Sequence, residues 1–118
     1  MIRIFAAFLA LAALAAQPTA AATPARLVAT VGPGTTITLK KSSGAAVRSL
    51  RPGTYTITVR DRSRAHNFHL LGPTNALSRS TTVGFVGTKT WRLRLVKGKY
   101  SYICDPHAMT MKGSFTVR

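Results

Sequence analysis

The segment Cys104-Asp105-Pro106-His107-Ala108-Met109-Thr110-Met111-Lys112-Gly113 carries the densest chemistry in the chain. It holds the only cysteine, a histidine three positions later, and two methionines. The other two histidines lie together upstream, in His66-Asn67-Phe68-His69. Thiolate, imidazole and thioether are the soft and borderline donors that copper prefers. Two imidazoles and a thiolate, with a weak thioether off their plane, are the donor set of a blue-copper electron-transfer site. Each residue alone has a plainer use: a buried cysteine packs as a small hydrophobe and methionine fills core gaps. The combination at these spacings points to a metal site.

Donors of this kind need a rigid frame, and the remaining sequence reads as short strands. In Thr54 to Arg60, Tyr55, Ile57 and Val59 share one face while Thr54, Thr56, Thr58 and Arg60 share the other, the period-two pattern of a half-buried strand. Leu27, Ala29 and Val31 alternate in the same way, and Thr35 to Leu39 is β-branched and alternating. Trp91, Leu93 and Leu95 alternate with Thr90, Arg92 and Arg94, and Tyr100, Tyr102 and Cys104 share a face. Ser114 to Val117 reads as a last strand, and Leu77 to Gly87 is less regular. Gly32-Pro33-Gly34, Leu50-Arg51-Pro52-Gly53, Gly72-Pro73-Thr74-Asn75 and Lys97-Gly98 are turns. Leu50-x-x-Gly53-x-Tyr55 is echoed by Leu95-x-x-Gly98-x-Tyr100, two similar passages from turn into strand. Beyond residue 22 no segment has helical periodicity. Seven or so short strands predict an all-β, antiparallel β-sandwich.

Strand phase then assigns the donors. Cys104 ends its strand on the inward face of Tyr100 and Tyr102. Pro106 forces a turn before His107, and Gly113 allows a tight return into the last strand. His66 is in phase with Phe68 and Leu70, which points it inward at the start of its strand; Asn67 and His69 fall on the opposite face. His69 is therefore expected to face solvent. Met111 precedes the last strand and is better placed for the axial position than Met109, which leaves little chain to swing back after His107. The expected metal ligands are His66, Cys104, His107 and Met111.

Composition adds context. Arg3, the apolar run Ile4 to Ala16 and the small residues Ala20-Ala21-Ala22 form a secretory signal with an Ala-x-Ala cleavage site before Thr23. The run is shorter than the roughly 20 residues of a bilayer span. Residues 1–22 are thus expected to be a signal peptide and residues 23–118 one domain, exported to the periplasm or extracellular space. In an oxidising compartment a lone cysteine needs an occupation, and metal ligation is one. Seventeen Lys and Arg against Asp61 and Asp105 give a formal charge of +15. Loss of Arg3 with the signal leaves +14. The export signal and the spread of cations along strands argue against nucleic acid. They leave a solvated basic surface or attraction to an acidic partner protein or anionic surface.

Tyr100-Ser101-Tyr102-Ile103-Cys104-Asp105-Pro106-His107, followed by Met111-Lys112-Gly113-Ser114-Phe115-Thr116-Val117, resembles the copper loop and last strand of the cupredoxins, with plastocyanin, pseudoazurin and amicyanin nearest by pattern. His66-Asn67 resembles their His-Asn pair. The resemblance covers the second half of the chain strongly and the first half only as strand pattern. It implies a Greek-key sandwich, one type 1 copper bound by His66, Cys104, His107 and Met111, and one-electron transfer. It also implies that Asn67 ties the two ligand-bearing segments together and that Pro106 removes a backbone donor near the sulfur. Two features depart from the pattern. Three residues separate His107 from Met111, where plastocyanin-type loops have four and amicyanin-type loops two. Asp105 stands where Ser or Thr is usual.

Three functions fit: a monomeric electron carrier with a redox partner protein, a copper-handling protein without electron traffic, and an interaction module whose site is empty. A catalytic role fits least, since four protein ligands leave no open position for a substrate.

Overall fold

The computed structural model describes residues 10–16, 23–74 and 76–118. The signal-peptide expectation falls largely on residues 1–9 and 17–22, outside those described, and residues 10–16 have no regular secondary structure. Among the described residues no helix is long and apolar enough to cross a membrane. Among the described residues nine strands form two sheets: β1 (Ala25–Val31), β2 (Ile37–Lys41), β3 (Ser49–Leu50), β4 (Gly53–Asp61), β5 (His69–Leu71), β6 (Ser78–Ser80), β7 (Gly87–Leu95), β8 (Gly98–Ile103) and β9 (Lys112–Val117). One sheet has the order β2-β1-β4-β7 and the other β3-β9-β8-β5-β6.

The expected sandwich is present, with one correction to its pairing. Both sheets are mixed: β1 runs parallel to β4 and β3 parallel to β9, while the other pairs are antiparallel. Alternation within a strand reports which face is buried, not which strand lies beside it. The partners of β1 and β3 were therefore not readable from local pattern.

The alternating residues form the core as expected. Leu27, Ala29 and Val31 on β1, Ile57 and Val59 on β4, and Trp91, Leu93 and Leu95 on β7 are buried, with Phe68, Leu70, Tyr100, Phe115 and Val117 from the other sheet and its approaches. Each fully buried side chain of this size contributes roughly 1.5–3 kcal/mol. Phe68 stacks on Tyr102 with ring centroids 5.5 Å apart, and Tyr100 on Phe115 at 5.1 Å. Phe68 and Tyr102 stand two residues from His66 and Cys104 respectively.

The two echoed turns have a shared physical basis. Tyr55 Oη donates to the Arg51 carbonyl at 2.7 Å, and Tyr100 Oη donates to the Val96 carbonyl at 2.8 Å, each four residues back. Tyr100 Oη also accepts from the Val96 amide at 2.9 Å. At each turn a glycine with positive φ, Gly53 at 155° and Gly98 at 143°, lets the chain swing under the ring. Gly113 serves a different end from the tight return expected of it. Its φ is not positive, but a Cβ there would strike the ring of Tyr102, its cross-strand neighbour. The missing side chain is the seat of the Tyr102 ring.

Tyr100→Phe should lower stability by about 1–2 kcal/mol in denaturant unfolding, because it removes two hydrogen bonds around one buried hydroxyl. Gly113→Val should cost about 1–3 kcal/mol by displacing Tyr102. It should also disturb the near-ultraviolet signal of the Phe68–Tyr102 stack. A Gly113→Val protein with unchanged stability and spectrum would show that the ring does not need that seat.

Candidate metal centre

Two segments meet at one end of the sandwich. The first runs from the end of β4 to the start of β5. Strand phase carries Asp61 inward after Tyr55, Ile57 and Val59, and it is buried. Its carboxylate accepts from the Ser63 amide and the Thr81 hydroxyl, both at 3.1 Å. Thr81 Oγ1 in turn accepts from the Phe68 amide at 3.0 Å. This relay holds residues 66–68 against the core. His66 points inward as expected, but it lies in the loop before β5 rather than at a strand start. Strict alternation fails there: His66, Asn67 and Phe68 are all buried.

The second segment is the Cys104–Met111 loop. Asp105–His107 form a single 3-10 turn with Pro106 inside it, a position where the missing amide hydrogen is not needed. The His107 amide donates to the Cys104 carbonyl at 3.0 Å, and the Met111 amide to the His107 carbonyl at 2.8 Å. The Cys104 amide donates to the Met111 carbonyl at 3.0 Å and closes the loop. Cys104 and Met111 are buried, His107 is exposed, and Met109 is 84% exposed.

These segments bring three of the four expected ligands into contact. His66 Nδ1 and His107 Nδ1 are 3.0 Å apart, and Cys104 Sγ lies 3.6 Å from the first and 3.7 Å from the second. A point in the plane of the three donors lies about 2.0 Å from each, the length of a metal–nitrogen bond and slightly under a metal–sulfur bond. A single cation there satisfies all three lone pairs at once, whereas hydrogen bonding among them needs a proton on a ring nitrogen or on the sulfur. The donor set therefore fits a metal ion. Of the two methionines in the loop, Met111 is the one on the interior side, joined to Cys104 through the backbone.

His69 departs from its expected role. It lies on the outer face of β5, but its side chain is only 19% exposed, and its Nδ1 is 2.7 Å from Asp105 Oδ1. Asn67 also reaches Asp105. Its Nδ2 donates to Asp105 Oδ2 at 2.7 Å and to the Thr81 carbonyl at 3.1 Å, and its Oδ1 accepts from the Asp105 amide at 2.7 Å. Sequence reading missed the Asp61–Thr81 relay and the His69–Asp105 pair. The first was available from phase, since Asp61 continues the buried positions of β4. The second had one clue: an acid beside the only cysteine in a chain with only two acids.

No model of a known protein family matches the chain, and no curated protein matches its sequence. Solved structures do resemble it. Reduced rusticyanin is 18% identical over 84% of this chain and 82% of its own, with a TM-score of 0.62. Rusticyanin from Thiobacillus ferrooxidans is 19% identical over 79% and 76%, with a TM-score of 0.54. Auracyanin B is 20% identical over 84% and 93%, with a TM-score of 0.51. Both are cupredoxins, and rusticyanin is a copper protein. The likeness is one of fold: this chain has a cupredoxin-like β-sandwich.

The two acids are shifted in opposite senses. Burial pushes Asp61 above its ordinary 3.8, against the Ser63 and Thr81 hydrogen bonds and the charge of His66, which pull it down. Burial also pushes Asp105 up, but the hydrogen bonds from His69 and Asn67 and the charge of His69 outweigh it and hold its pKa below 3.8. Asp105 therefore contributes stability that is complete above the unfolded-chain value and is lost as pH falls through its lowered one. Asp61 does the reverse: the unfolded chain gives up that proton first, so stability declines as pH rises from the unfolded value through the raised one. Asp61 thus gives the metal-free protein a decline in stability above the ordinary carboxylate range, and Asp105 a rise toward that range from below. Asp61→Asn should flatten the decline above it and Asp105→Asn the rise below it in denaturant midpoints. A decline that survives Asp61→Asn would refute the assignment.

Proposed function

We propose that the chain is an exported electron carrier that holds one type 1 copper through His66, Cys104, His107 and Met111. The observation that carries this reading is the convergence of two imidazole nitrogens and one buried thiol sulfur at bonding distances from a common point, in a cupredoxin-like sandwich. Copper bound there supplies reversible one-electron chemistry. The rest is the work of the chain's own residues. The Phe68–Tyr102 stack, the hydrogen-bonded loop at residues 66–68 and the closed Cys104–Met111 loop keep the donors in place in either redox state. Buried Cys104 and His66 exclude water from the sulfur side. Exposed His107, beside exposed Pro106 and Met109, offers a small apolar patch through which an electron can leave to a briefly docked partner. Four protein donors leave no position for a substrate, which favours a carrier over an enzyme. The signal-like residues 1–22 favour the periplasm or extracellular space, where one cysteine held by a metal is protected from oxidation.

Purified protein given Cu(II) should take up one equivalent and turn intensely coloured through thiolate charge transfer. Cys104→Ser and His66→Ala should abolish the colour. Met111→Leu should keep it while raising the reduction potential and weakening Cu(II) retention, and Met109→Leu should change little. Colourless protein whose Cys104 still reacts with thiol reagents after copper addition would rule the reading out.

The positive surface predicts the kind of partner. Electron transfer to an acidic protein should be fast at low salt and slow steeply as the Debye length shrinks to about 10 Å near 0.1 M. Stopped-flow rates against ionic strength, with acidic and basic partners, check this. Rates indifferent to salt would leave the basic residues as solvation alone.

A further inference from the structure

One hydrogen-bonded chain beside the centre belongs to none of the proposed ligands. Asp105 Oδ1 faces His69 Nδ1 at 2.7 Å, and His69 Nε2 is 2.7 Å from Ser78 Oγ. A carboxylate only accepts, so Nδ1 carries the hydrogen and donates it. His69 sits opposite Ile103 of β8 on one side and Ser80 of β6 on the other. Side chains thus link the edge strand β6, the strand β5 and the turn after β8 in one line. The order Ser, His, Asp is that of a hydrolytic triad. Ser78, however, lies exposed on an edge strand, where its hydroxyl suits a brace on the imidazole better than a nucleophile held in a cleft.

Its geometry shows what it braces. Asn67 holds the Asp105 amide and one carboxylate oxygen, which leaves the carboxylate free to swing about that contact. His69 holds the other oxygen. With both ring nitrogens engaged, the imidazole cannot turn without losing a bond. Asp105 is the first residue of the turn, with Cys104 before it and His107 two residues after it.

We propose that His69 is a positioning residue of the metal centre. Braced by Ser78, it fixes the Asp105 carboxylate and, through it, the turn that presents Cys104 and His107. The inference rests on the reading of those residues as copper ligands, and it extends that reading to a histidine that is not a ligand.

The test compares His69→Leu, His69→Asn and Ser78→Ala, each alone, and His69→Leu again in an Asp105→Ala background. An Asn amide nitrogen can stand near the place of Nδ1, so His69→Asn keeps the donor. Three readouts are needed: release of copper to a chelator, the position of the visible band, and amide hydrogen exchange at His107 and Met111 in the copper-free protein. His69→Leu should keep the colour, shift the band and release copper about tenfold or more faster, the range for outer partners of metal ligands. His69→Asn should restore most of the loss. In Asp105→Ala, His69→Leu should add nothing. Wild-type release from His69→Leu, or an effect undiminished in Asp105→Ala, would overturn the inference. A wild-type protein that takes no copper defeats the functional reading alone. In that case faster exchange at His107 and Met111 in His69→Leu supports the brace, and unchanged exchange refutes it. Should His69→Leu fail to fold, Ser78→Ala decides on the same readouts, and no change in any of them counts against the proposal.

Discussion

The side-chain amide of Asn67 grips Asp105 at its amide and at its carboxylate, across 38 residues of sequence. His66 precedes the one and Cys104 the other. The distances from His66 to Cys104 and to His107 depend on this cross-link, because the two segments it joins share no backbone ladder at those residues. Asn67 is itself buried and uses both donors and its acceptor, with the Thr81 carbonyl taking the remaining bond. A buried amide left partly unpaired would cost about 1–3 kcal/mol. The same burial that makes Asn67 costly when unpaired makes it specific when paired.

The supports of the cross-link divide between the two sheets. Asp61 at the end of β4 reaches across through Thr81 to the Phe68 amide, which fixes the His66 segment from the sheet it has just left. Ser78 and His69 fix the Cys104 loop from the edge of the other sheet. Both acids of the chain are therefore used inside this network, one buried and the other held by three hydrogen bonds. The surface is left with cations and no carboxylate side chain free of an internal partner.

The donor cluster was legible in the sequence because its chemistry is carried by rare residue types at short spacing. Cys104 and His107 lie three residues apart, and the inward side of His66 followed from Phe68 and Leu70. The core was legible because alternation reports burial directly. What escaped were relations with no local signature. The parallel pairing of β1 with β4 depends on a crossover, and the His69–Asp105 contact on two strands lying side by side. The burial of Asn67 breaks alternation, since residues 66–68 form a loop pinned by hydrogen bonds rather than a strand. Gly113 looked like a turn residue and is a ring seat, a role set by a tyrosine on the neighbouring strand.

The basic surface divides by the same structural reasoning. Open sheet edges invite pairing with other chains, and charged side chains along them discourage it. The edges of the first sheet are β2 and β7, which carry Lys40 and Lys41, and Lys89, Arg92 and Arg94. In the second sheet the edge strand β6 carries Arg79, and β3 is only two residues long. These cations have a sufficient reason in the fold, whatever the partner. Arg62 and Arg64 do not. They lie on no strand, in the connection from β4 to His66, and both are exposed. Screening confines an exposed charge to about one Debye length, ~8–10 Å at physiological salt. Arg64 stands two residues before His66, on the connection that leads into the donor cluster, and so acts on a partner docking there. If the positive charge of this protein guides docking, Arg64 and the exposed Lys112, which follows Met111 directly, carry the part of that work nearest the cluster.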